Sequence, residues 1–138
     1  MLKTPLFIWI FITIAIVAAL HFSALQFYLY WRFWWFDILT HFLGGLWISI
    51  SFLWLFFQFG LVNIIKNDKN YNLLVAFLAS LFVGVLWEAF EYYLGITNTN
   101  ASNYIIDTAT DFSFDLVGGF AAYIIFVFKG YHKAEIKN

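Results

Sequence analysis

Six of the eight carboxylates in this 138-residue chain, Asp37, Glu88, Glu91, Asp107, Asp111 and Asp115, stand inside or at the ends of long apolar stretches. An Asp at the centre of a membrane helix costs roughly 2.5–3.5 kcal/mol, so such residues face a bundle interior, pair, or bind a cation. Their spacing gathers them further. Asp107, Asp111 and Asp115 recur at i, i+4 and i+8, a stripe that descends ~12 Å along one helix face. Asp37 and His41 repeat the i, i+4 step, and Glu88 and Glu91 share a face at i, i+3. So many carboxylates close together in apolar surroundings cannot all stay ionised; either several carry protons or cations neutralise them. Carboxylates with one or two imidazoles are the ligand chemistry of Mg²⁺, Mn²⁺, Ca²⁺, Zn²⁺ or non-haem iron, and with no Cys in the chain, thiolate sites are excluded. The expected ligands of a divalent metal ion are Asp37, His41, Glu88, Asp107, Asp111 and Asp115. Glu91 is the candidate general base, and Arg32 the residue to position an anionic head group.

Simpler roles compete for some of these. Asp37 and Asp107 stand near helix starts, where an Asp caps backbone N–H groups. Glu91 and Arg32 can reach the membrane interface. His21 suits a hydrogen-bonded contact between helices, and His132 belongs to the polar tail. Asp111, Asp115 and Glu88 are one to three turns inside and too short to snorkel, so function is favoured for them.

The elements that must position these groups are membrane helices. The chain is 64% hydrophobic and 25% aromatic with 11% charged residues, a composition outside soluble usage. Apolar runs predict four crossings, about Leu6 to Trp31, Ile38 to Ile65, Tyr71 to Ile96 and Ile105 to Phe128. Each exceeds the ~20 residues that span a bilayer core. The fold class expected is an all-α membrane protein, with residues 1–138 forming a single four-helix transmembrane domain. A net charge of −1 gives no footprint for nucleic acid, and no phosphate loop or HExxH motif is present. Lys3, Lys66, Lys69, Lys129, Lys133 and Lys137 fall on one side of a four-span topology and Arg32 on the other, which predicts both termini in the cytoplasm and all six acids in the outer half. A cleaved signal peptide at the first span is disfavoured by the length of its apolar run. Trp31, Trp34, Trp35, Tyr92, Tyr93 and Tyr104 fit an outer aromatic belt.

The second and fourth spans share a pattern. Asp37-Ile-Leu-Thr-His41-Phe-Leu-Gly44-Gly45 matches Asp111-Phe-Ser-Phe-Asp115-Leu-Val-Gly118-Gly119 at its polar and glycine positions, with His41 replacing Asp. The match predicts two helical hairpins in a parallel pseudo-repeat, with the site at their interface and the glycines bringing the two helices close.

These residues also resemble a family. Asp37-x-x-x-His41-Phe-x-x-Gly, Glu88-x-x-Glu91, and Asp107-Thr-x-x-Asp111 leading to Gly118 are similar, in order and spacing, to the small VanZ-like and YjdF-like bacterial membrane proteins, and closer to the latter because Glu91 stands where VanZ-like chains tend to have Gln. The resemblance implies His41 and Glu88 as core polar positions and a cytoplasmic-membrane location in bacteria or archaea. The function expected is metal-dependent hydrolysis or transfer on a lipid or polyprenyl-linked head group, with membrane lipids as partners and a homodimer plausible for so small a bundle. The alternatives are a divalent-cation or proton-coupled transporter, and a structural protein whose carboxyls share protons.

Overall fold

A computed structural model describes residues 5–58, 68–95 and 102–131. The described residues are helical: α1 (Pro5–Phe27), the single turn α2 (Leu29–Arg32), α3 (Trp34–Gln58), α4 (Lys69–Leu94) and α5 (Tyr104–Phe128). Four of them are long and apolar enough to cross a membrane, with spans of 22 to 26 residues. An apolar solvent forces this outcome, because every backbone N–H and C=O must be satisfied within its own helix.

The boundaries correct the sequence reading in two places. The first crossing stops at Phe27 rather than Trp31, because Tyr28 adopts a left-handed conformation (φ 57°, ψ 36°) that starts the separate turn α2. The stretch left between the first two predicted crossings, residues 32–37, shrinks to Phe33, whose extended backbone leads directly into α3. Asp37 therefore sits in the first turn of α3, where the helix dipole favours an acid. The ends expected at Ile65 and Ile96, and His132, lie outside the described residues.

Asp68 starts α4 by accepting the backbone N–H groups of Asn70 (2.8 Å) and Tyr71 (3.4 Å) on Oδ1. Asp68→Ala should therefore cost about 1 kcal/mol of stability, measurable as a lower thermal midpoint in detergent.

The tightest contact joins α3 to α5. A Cβ added at Gly45 would fall on the Asp115 carbonyl, and one at Gly118 on the Phe42 carbonyl with Leu46 N only 2.8 Å away. Facing residues rise together along both chains (42 and 45 with 115 and 118, 49 with 119), so the two helices run parallel, as the repeat predicts. The glycine pairs divide their work, however. Gly45 and Gly118 make the crossing, a Cβ at Gly119 would come 2.6 Å from Ser80 Oγ of α4, and Gly44 faces open space.

α4 runs antiparallel to both: Ser49 Oγ donates to Ala76 O at 2.8 Å, and Thr108 donates to Glu88 Oε2 at 3.1 Å. α1 packs on α3, with Phe7 against Trp54 at one end (5.3 Å) and His21 against Trp87 of α4 at the other (5.0 Å). Leu6, Ile10, Ile50, Leu53, Ala122 and Phe126 form a packed apolar cluster in the half of the bundle that holds the start of α1 and the end of α5. Large side chains such as Phe11, Phe22, Phe77, Phe82 and Phe120 are exposed around the outside, the surface that lipid tails would cover.

Candidate metal centre

The opposite half of the bundle is polar. It is built from the first turns of α3 and α5 and the last turns of α4, and each acid enters it from a register its helix dictates. Asp37 and His41 lie one turn apart on α3, Asp111 and Asp115 one turn apart on α5, and Glu88 and Glu91 on one face of α4. His41, Glu91, Asp111 and Asp115 are buried; Asp37 and Glu88 are half-buried.

His41 is the hub. Its Nδ1 donates to Asp115 Oδ2 at 3.1 Å, and its Nε2 lies 3.7 Å from Asp37 Oδ1 and 4.0 Å from Asp111 Oδ1. With Nδ1 alone carrying the proton, the ring would turn an Nε2 lone pair toward Asp37 and Asp111. Those separations are too long for hydrogen bonds, and Nε2 is buried without a hydrogen-bond partner.

Two sets of ligand atoms meet here: Asp37, His41 and Asp111 in one, His41, Glu88 and Glu91 in the other, the atoms of each set lying within 4.8 Å of one another. Ligands on opposite sides of an ion bound at 2.0–2.5 Å stand roughly 4–5 Å apart, so both sets have the spacing a cation requires. Glu88 adds a second unsatisfied atom. Its Oε2 accepts from Thr108, while Oε1 is buried without a partner. A buried polar atom left unpaired costs about 1–3 kcal/mol, so His41 Nε2 and Glu88 Oε1 both call for a partner. The remaining such atoms among the described residues, on Trp47, Trp54 and Asn72, belong to neither set.

The other expected site residues are placed differently. Asp115 stands behind the imidazole, on its Nδ1 side, where a carboxylate fixes the tautomer and orientation of a ligating ring. Asp107 is exposed in the first turn of α5 and belongs to neither set, and Arg32 is exposed at the end of α2, at the same end of the bundle. His21 accepts from Tyr30 at Nδ1 (2.8 Å) and lies edge-on to Trp87. Partial burial pushes the Tyr30 hydroxyl above its ordinary range, which keeps it protonated as that donor.

Several supporting residues were not singled out from sequence. Trp87 Nε1 donates to Glu91 Oε1 at 3.0 Å, and Thr40 Oγ1 donates to the Asp37 carbonyl at 2.8 Å. Gly84 gives the His41–Asp115 pair its room, since a Cβ there would lie 2.5 Å from Asp115 Oδ2. The available signal was the i, i+4 row Asn72, Ala76, Ser80, Gly84 and Glu88, small or polar at each step and leading to the acid. The pseudo-repeat also acquires a structural meaning, because the equivalent positions His41 and Asp115 bond to each other and the equivalent Asp37 and Asp111 both approach Nε2.

The chain belongs to the family described as predicted membrane protein (DUF2238), whose model matches residues 2–133. The YjdF-like proteins lie within that family, so this part of the resemblance is shown; a relation to the VanZ-like proteins is not. No curated protein and no solved structure matches the chain.

Proposed function

We propose that this family member is a metal-dependent membrane enzyme that hydrolyses or transfers phosphate on a lipid or polyprenyl-linked head group. The observation that carries the reading is the pair of ligand sets sharing His41, in which His41 Nε2 and Glu88 Oε1 are buried and unpartnered. Asp37, His41, Asp111 and Glu88 would hold the ion, and Asp115 would orient His41. A divalent ion bound there would polarise a phosphoryl oxygen and acidify a water molecule. Glu91 would take the proton as that water attacks phosphorus and the bond to the leaving oxygen breaks. Arg32, exposed at the same end, would attract the anionic head group.

The packing favours an enzyme over a carrier. Beyond Asp115 the bundle is filled by the apolar cluster, and Ser49 and Ser80 spend their hydroxyls on backbone carbonyls of α4. No chain of ionisable groups continues to the other end among the described residues.

Two measurements test this reading. Protein purified under metal-replete conditions should contain divalent metal in stoichiometric amount by elemental analysis, with no cation flux in proteoliposomes; metal-free protein, or flux, would overturn it. The orientation we propose, termini in the cytoplasm and the acidic end outside, requires a Cys at Asn103 to react with an impermeant reagent in whole cells and a Cys at Lys69 to stay protected. The reverse pattern would put the site on the cytoplasmic face.

A further inference from the structure

Resting on the reading of a metal-dependent site, we infer that His41 selects its ion: a single first-row transition ion such as Mn²⁺, Fe²⁺ or Zn²⁺, not Mg²⁺ or Ca²⁺ and not a pair of ions. The selecting atom is Nε2. The His41 side chain is 1% exposed, and this nitrogen has no hydrogen-bond partner although Asp37 Oδ1 and Asp111 Oδ1 stand 3.7 and 4.0 Å away. Hard ions such as Mg²⁺ and Ca²⁺ take oxygen ligands, whereas imidazole suits Fe²⁺ and Zn²⁺, and Mn²⁺ follows them in affinity for mixed nitrogen and oxygen donors. A site whose shared ligand is one buried nitrogen among carboxylates discriminates by that nitrogen.

Two glycines make room for the group that aims it. Asp115 Oδ2 takes the Nδ1 proton at 3.1 Å, the arrangement that orients a metal-ligating imidazole and raises its basicity. A Cβ at Gly84 would lie 2.5 Å from that same Oδ2, and one at Gly45 would fall on the Asp115 backbone carbonyl. Little water reaches the pair. The chamber beside it, walled by Val17 and His21 of α1 and by Val83 and Trp87 of α4, measures about 30 Å³, room for one molecule. An ion bound by oxygens alone would make no use of a carboxylate held behind the ring. The number of ions follows from the same bond. With Nδ1 engaged by Asp115, His41 has one lone pair for the two ligand sets that share it. An ion on Nε2 with Asp37, Asp111 and Glu88 leaves a second ion no imidazole, and Glu91, which accepts from Trp87 Nε1 at 3.0 Å, stays the base and not a ligand.

The test is metal binding by wild-type protein in detergent, stripped with a chelator and titrated with Mn²⁺, Zn²⁺, Mg²⁺ and Ca²⁺ in turn. Elemental analysis after desalting counts the ions, and electron spin echo spectroscopy of the Mn²⁺ form reports nitrogen ligands. One Mn²⁺ or Zn²⁺ should remain per chain, with a single nitrogen coupled to Mn²⁺, and about tenfold more Mg²⁺ or Ca²⁺ should not displace it. His41→Asn should abolish the nitrogen coupling, and His21→Asn, at the far wall of the chamber, should keep it. The wild-type measurements stand whether or not His41→Asn folds. Displacement by that excess of Mg²⁺ or Ca²⁺, a second ion per chain, or Mn²⁺ bound without nitrogen coupling overturns the inference and leaves the metal-dependent reading standing. Wild-type protein that takes up neither class of ion overturns that reading, and this inference with it.

Discussion

His41→Ala is expected to reduce bound metal to background in protein prepared under metal-replete conditions, whereas Asp107→Asn should keep wild-type content. His41 belongs to both ligand sets, so its removal dismantles both, while Asp107 is exposed and belongs to neither. The imidazole is also the one neutral ligand among carboxylates, and without it the remaining acids would have to approach one another to enclose the ion. Asp115→Asn separates ligation from orientation. Asn preserves the volume but presents either a carbonyl or an amide to Nδ1, so the tautomer that directs the Nε2 lone pair is no longer enforced. Metal affinity should fall about 10–100-fold, the usual consequence of losing an outer-shell partner. Helical content by circular dichroism should be unchanged in all three variants. Undiminished metal in His41→Ala would remove the centre altogether. A loss in Asp107→Asn as large as in His41→Ala would move the site to the surface of the bundle.

The parts of this arrangement that were legible in sequence are those set by a single helix. Period and length fixed four crossings, and the i, i+4 rule placed Asp37 with His41 and Asp111 with Asp115, because positions on one helix need no knowledge of its neighbours. The repeat then indicated that α3 and α5 are parallel, since matched motifs at matched depth can meet only in that sense. What depended on rotation between helices was not legible. Asp115 reads as one more rung of an acidic stripe, yet its side chain takes the Nδ1 side of His41 while Asp111 takes the Nε2 side, a division decided by how closely α5 approaches α3. Gly84 and Trp87 carry no charge and stand in an apolar run, although one clears the space for Asp115 and the other holds Glu91. The break at Tyr28 is likewise invisible in an apolar run, because a non-glycine residue in the left-handed region gives no compositional signal.

Gly118→Ala and Gly44→Ala, the same chemical change within one repeated motif, should have opposite outcomes. At Gly118 the new methyl would collide with the Phe42 carbonyl and with Leu46 N, both backbone atoms inside a helix that cannot swing aside as a side chain can. The two helices must separate, and overpacking of this kind costs about 1–3 kcal/mol, occasionally more. At Gly44 nothing lies within 4 Å of the added carbon, which enters the small chamber beside His41, so stability should stay within about 0.5 kcal/mol of wild type. The site reports the same contrast. Gly118 is one turn below Asp115, and any separation of α5 from α3 stretches the 3.1 Å bond that sets the His41 ring. Gly118→Ala should therefore lose metal along with thermal stability in detergent, and Gly44→Ala should retain both. Gly45→Ala, whose methyl would meet the Asp115 carbonyl itself, should behave as Gly118→Ala does. If Gly44→Ala proved as damaging as Gly118→Ala, the crossing of α3 and α5 would have to use the other face of the motif, and the orientation of Asp115 toward His41 would have to be abandoned with it.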